Sequence, residues 1–173
     1  MTFVTLRNLV ARGLSRALGV PVTLSNQTEP EPDYPYIIYT PTSPYVPNGE
    51  MGDHVLQGEG EGLTDIRREQ PTATISFTVC SMNREAESGY IHGDDEAQEL
   101  ADRAIGWFLH GGRAELSRGG VVVVDVLNAG DRSFIEIDEA VRQYGFDVVL
   151  RYCRADKYVT GETEQAVFKQ KKG

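Results

Sequence analysis

His92-Gly93-Asp94-Asp95 brings one imidazole and two carboxylates within four positions of the chain. Nitrogen and oxygen donors so close together could hold a divalent cation and support a small metal-dependent hydrolase. The same aspartates suit the start of a helix. Asp94 reads as an N-cap, and Asp95 and Glu96 fall at the positive end of the helix dipole. Helix initiation is the reading adopted here, and the hydrolase is its rival. His54, beside Asp53, and His110, at a helix end, stand apart from this group. Gly58-Glu59-Gly60-Glu61-Gly62 is rich in glycine but lacks G-x-G-x-x-G spacing, and its glutamates would repel a phosphate. It reads as a turn or a flexible arm. Cys80 and Cys153 belong to no C-x-x-C pair and read as free thiols of a reducing compartment. There is no H-E-x-x-H, G-x-S-x-G or P-loop lysine motif. The sequence therefore assigns no catalytic, cofactor-binding or metal-ligating residue and implies no cofactor.

Composition narrows the field further. The 173 residues are 40% hydrophobic and 25% charged, as expected of one soluble globular domain. No apolar run approaches the ~20 residues of a membrane span. The N-terminus resembles neither a signal peptide nor a transit peptide, so a cytosolic origin is expected. With 17 basic and 26 acidic residues the net charge is −9, spread over both halves of the chain, which disfavours tight binding to DNA phosphates. All four lysines, Lys157, Lys169, Lys171 and Lys172, lie in the last 17 residues. That tail is either a solvated terminus or a contact with an acidic partner surface.

The elements that would position these residues follow from periodicity. Leu6, Leu9, Val10, Leu14, Ala17 and Leu18 predict an amphipathic helix over 3–18, stopped by Gly19 and Pro21. Tyr36–Tyr39 is a short β run bracketed by Pro35 and Pro41, which suggests an edge strand. Residues 41–70 hold prolines, glycines and few apolar residues. A loop of that length is rare, so a β-hairpin arm or a segment held by a neighbouring chain is expected there. Thr72–Cys80 alternates strictly, with Ala73, Ile75, Phe77 and Val79 on one face and threonines and a serine on the other. Asp94–His110 is a second helix, ended by Gly111-Gly112. Val121–Leu127 is apolar on nearly every position and reads as a central strand. Tyr144–Tyr152 alternates again, and Gln165–Phe168 reads as a last short strand. The order predicts an α+β fold: a mostly antiparallel sheet with two helices on one face, plus a long loop or β-hairpin arm. Residues 1–168 are expected to form one domain with the 41–70 arm inserted, followed by a basic tail over 169–173. Good core patterning, a long arm and no catalytic cluster point to contacts rather than catalysis.

Three stretches carry a resemblance. Arg67-Arg68-Glu69-Gln70-Pro71-Thr72-Ala73-Thr74-Ile75-Ser76-Phe77 resembles the first sheet strand of tailed-phage neck and tail terminator proteins, with Glu99-Leu100-Ala101 in the helix that comes next in that family. Asn128-Ala129-Gly130-Asp131-Arg132-Ser133-Phe134-Ile135 resembles the family's link of an asparagine, an Asp-Arg pair and an aromatic. Arg142-Gln143-Tyr144-Gly145-Phe146-Asp147-Val148 resembles its R-x-x-G-F-D-V strand. The resemblance implies a structural virion protein of the same α+β class. Such a protein forms a ring, a hexamer, at the head-proximal end of the tail tube. It ends tube polymerisation and gives head-completion proteins a docking surface. The implied partners are further copies of the chain, the tube protein, the head-completion or stopper protein, and a sheath if the tail is contractile. DNA would pass through an acidic lumen without specific binding. Assembly would take place in the host cytoplasm. Another ring or connector of the neck is the nearest alternative. Candidate subunit or partner contacts are Tyr45, Met51, His54 and Leu56 in the arm and Lys169, Lys171 and Lys172 in the tail. The Asp131-Arg132 pair and Gly145-Phe146-Asp147 are expected to be fold determinants.

Overall fold

The computed structural model describes residues 1–26, 30, 32–49, 51–58, 63–87, 89–136 and 139–159. The turn expected at 59–62, the strand expected at 165–168 and Lys169, Lys171 and Lys172 lie outside them.

Helix α1 (Phe3–Leu18) has the bounds that its spacing predicts. The Thr5 N–H donates to Thr2 Oγ1 at 3.2 Å, and Leu6, Val10 and Leu14 are buried. Strands β1 (Val22–Leu24), β2 (Tyr36–Val46), β3 (Asp53–Gln57), β4 (Thr64–Glu69) and β5 (Thr72–Ser81) follow, with a small hairpin, β6 (Arg84–Ala86) and β7 (Gly89–Ile91). Helix α2 (Gly93–Gly106) continues through a π-helical turn (Trp107–Gly111) into α3 (Arg113–Arg118). The chain ends its described course in β8 (Val121–Asp131), β9 (Phe134–Glu136), β10 (Glu139–Tyr152) and β11 (Arg154–Val159).

The main sheet has the order β1-β2-β5-β10-β8, with β9 paired to β10. The β1–β2 pair is parallel and the other described ladders are antiparallel. Ala73, Ile75, Phe77 and Val79 of β5 and Phe146, Val148 and Leu150 of β10 are buried against the helices, so the fold is α+β as expected. Phe77 stacks on Phe146 at 5.6 Å between ring centres and meets Phe108 at 5.1 Å. Burying such aromatics supplies the largest single apolar areas of the core.

Four expectations change. A third helix, α3, follows the expected Gly111-Gly112 stop, because Gly112 keeps a right-handed backbone (φ −86°, ψ −7°) rather than a left-handed one and caps the start of α3. Asp94 is not the N-cap of α2. His92 holds that position, and Asn83 Oδ1 accepts the Gly93 N–H at 2.8 Å. β2 is flanked on both sides over Ile37–Tyr39, by β1 and by β5, and only beyond Tyr39 is one side open. Pro41 and Pro44 fall in that open half, where a missing donor costs no ladder bond on the free side. β8 is an edge strand, not a central one. Its apolar residues serve two ends: Val121 is buried, while Val122, Val124 and Leu127 face outward.

The 41–70 region resolves into two parts. Residues up to Val46 belong to β2, and β3 and β4 form a hairpin that β11 completes in the order β11-β4-β3. This arm prolongs the body. Arg151 pairs with Thr72, and three residues further along each strand Arg154 pairs with Glu69, so the two ladders share one register. The Tyr152 N–H donates to the Pro71 carbonyl at 3.1 Å across the join. Six paired residues in β4 and β11, and five in β3, carry the arm about 20 Å beyond the body.

Candidate assembly surfaces

Alternation along β5 and β10 leaves one sheet face without helices among the described residues. It carries Thr72, Thr74, Ser76 and Thr78 of β5 beside Gly145, Asp147, Val149 and Arg151 of β10. Arg132, from the link after β8, lies flat across this face. Its guanidinium donates to Ser76 Oγ at 2.7 Å and to Thr78 Oγ1 at 3.3 Å, and pairs with Asp147 Oδ1 at 3.2 Å. It can do so because Gly145 has no Cβ, which would overlap the guanidinium. Asn128 Nδ2 donates to the other Asp147 oxygen at 2.7 Å. Burial pushes the Asp147 carboxyl up, but hydrogen bonds from Ser76, Asn128 and Arg132 outweigh it and hold the group below the usual range. Asp131 Oδ1 accepts the Ser133 N–H at 2.8 Å and so shapes the same link. The D-R and G-F-D motifs thus lock together.

The root of the arm is a second polar cluster, on the helix side of the sheet. Glu69 is buried, and its carboxylate takes the Arg67 guanidinium at 2.7 Å and the Tyr45 hydroxyl at 3.0 Å. Arg154 Nε stands 3.6 Å from Glu69 Oε1, and its guanidinium carbon lies 5.3 Å from the Tyr45 ring centre. Arg154 and Arg67 both also reach Asp156, at 3.1 and 3.4 Å. The Met1 ammonium donates to the Cys153 carbonyl at 2.8 Å, which ties the start of α1 to the join. Tyr45 therefore belongs to the base of the arm. Arg67, Glu69 and Arg154 are part of the same site, and their pairing across distant strands is what hid it from a sequence reading.

Beyond the root, Met51 is exposed and its carbonyl accepts the Arg67 Nε–H at 2.6 Å. His54 Nδ1 lies 2.9 Å from Asp65 Oδ2, across the β3–β4 ladder. Leu56 is exposed on the same face as Tyr158. The structure gathers Met51, His54 and Leu56 on one projection, and the three lysines of the tail lie outside the described residues. Cross-strand partners put Val55, Ile66 and Lys157 in one row of the opposite face, with Arg68 and Val159 in the rows beside it. On that face Ile66 is buried while Val55 and Val159 are exposed.

His92, Asp94 and Asp95 do not converge. The His92 ring packs edge-on against Tyr90 at 5.0 Å, while Asp94 faces Arg142 Nε at 3.4 Å. Among the described residues no group of three His, Cys, Asp or Glu side chains could hold a metal ion. The first turn of α2 is anchored instead by Glu96, which pairs with Arg84 at 2.7 Å and accepts from Ser81. The Arg84 hydrogen bonds pull the Glu96 carboxyl below the usual range despite its partial burial.

Residues 5–170 match a protein family described as phage neck terminator protein. No curated protein matches the chain.

Proposed function

The chain belongs to the phage neck terminator family, and from that premise we propose that it forms a ring, a hexamer, on the head-proximal end of the tail tube. Membership makes it a structural component of the virion neck that meets other tail and head proteins. On the proposed reading residues 1–168 act as one unit, its arm reaching another chain. The ring ends tube polymerisation and offers its other face to the head-completion protein, and to a sheath where the tail contracts. It is assembled in the host cytoplasm and performs no catalysis. A chain at −9 gives the lumen few cations for phosphates to release counterions against, so DNA slides through.

The observation that carries this reading is the arm. A strand register continued out of the core, a buried carboxylate fixing its base, and the exposed side chains of Met51, Leu56 and Tyr158 suit a contact between chains. Its test is the growth of tail tubes from purified tube protein. Added chain should arrest elongation at sub-stoichiometric amounts. Tubes that keep growing at equal molar chain would contradict it.

A further inference from the structure

We infer that the helical layer docks a second copy of this chain, turned over about a two-fold axis, so that α1 and α3 of each copy face α2 of the other. This pairing depends neither on the arm nor on the proposed ring.

Charge is sorted between the helices. α1 holds Arg7, Arg12 and Arg16 and no acidic residue. α3 adds Arg113 and Arg118 against Glu115. α2 holds Asp94, Asp95, Glu96, Glu99 and Asp102 against Arg103. In a chain at −9, five arginines against one glutamate thus put α1 with α3 at +4, and five carboxylates against one arginine put α2 at −4. Pairing inside the chain consumes part of each. Arg16 takes Glu115, while Asp94 and Glu96 are held by Arg142 and Arg84. The rest is exposed and makes no ion pair among the described residues: Arg12, Arg113 and Arg118 on one half, Asp95, Glu99 and Asp102 with Arg103 beside them on the other. Arg7 is half-buried and also unpaired among them, and β6, tied to α2 through Arg84, adds the exposed Glu85 to the acidic half.

The two halves face the same way. Arg12 and Arg16 lie one turn apart, away from the buried Leu6, Val10 and Leu14. Asp95, Glu99 and Asp102 recur at plus four and plus three, away from the buried Ala97, Leu100, Ala101 and Ala104. Both helices cover one side of the main sheet, so both stripes point away from it. Gly13 of α1 and Gly112 close on the Trp107 ring at the end of α2, and a Cβ on either would overlap that ring. The basic and acidic stripes therefore stand side by side on one surface.

Such a surface is its own complement. One two-fold operation sets the acidic stripe of each copy on the basic stripe of the other. A partner of a single sign, duplex DNA included, would suit half of the layer and meet like charge on the other half. Exposed ion pairs are individually weak and screened by salt, so the pairing is reversible and salt-dependent.

The test follows the mass of the full chain by light scattering at low salt and at about 1 M salt, where charges act over only ~3 Å. The low-salt mass should be twice the high-salt mass, whether the unit is one chain or a ring. Two variants then exchange the charges. One carries Arg12→Glu and Arg118→Glu, and the other Asp95→Lys and Asp102→Lys. Each alone should keep its high-salt mass at low salt. Mixed in equal amounts they should recover the doubled mass, which also shows that both are folded. An unmodified chain whose mass is the same at both salts would overturn the pairing, whatever the variants do. So would a variant that doubles alone, or a mixture that fails to double while both variants keep the urea midpoint of the unmodified chain. Retention of a DNA duplex that the arginine variant loses, with no doubling of mass, would overturn it in favour of phosphate.

Discussion

Gly145 shows how one missing methyl group sets the course of a whole segment. Its bare backbone lets Arg132 cross the sheet to Ser76, Thr78 and Asp147. Gly145→Ala should expel the guanidinium and strand Asp147 with fewer donors. A loss of about 1–3 kcal/mol is expected in urea unfolding. Gly130 is its cross-strand partner, and a Cβ there meets nothing within 4 Å. Gly130→Ala should therefore be far milder, and equal losses at the two positions would contradict the account. Glu96 yields a pH prediction. Its carboxyl is depressed in the folded state, so its contribution is full above the unfolded value of about 4.3 and is lost as pH falls through the lower folded value. Glu96→Gln should flatten that part of the acid branch when stability is followed from pH 6 to pH 3. An unchanged slope would show that Arg84 and Glu96 do not couple to folding.

At the scale of elements, the arm stands or falls with its root. Glu69→Ala leaves Arg67 and Arg154 without the buried carboxylate at the root, with only the half-exposed Asp156 left between them. Hydrogen exchange should quicken over Thr64–Glu69 and Arg154–Val159 while β5 and β10 keep their protection. Equal exchange in both regions would contradict the latch. The same elements show what a sequence carries. α1 was legible to the residue, because its leucine spacing and the Gly19–Pro21 stop act within one turn of the helix. The alternation of β5 was legible for the same local reason. The arm was legible as an extension but not as three strands, since β11 joins from some 90 positions away. β8 misled because four consecutive valines look alike whether a strand is buried on two faces or sits at an edge. Sheet order decides that, and sheet order is a long-range property. The Glu69 cluster was hidden likewise: Tyr45, Arg67 and Arg154 meet only after three strands align.

For the whole molecule, a body with a projecting arm exposes apolar side chains in two places, Met51, Leu56 and Tyr158 on the arm and Val122, Val124 and Leu127 on β8. Exposed apolar groups of this kind suit contacts with other chains, and the proposed ring would supply them. The most direct test is electron microscopy of the purified chain, alone and with tail tubes of its own phage. The account predicts rings of six-fold symmetry, or a cap of that symmetry on one end of each tube. Particles of single-chain size that leave both tube ends bare would contradict it.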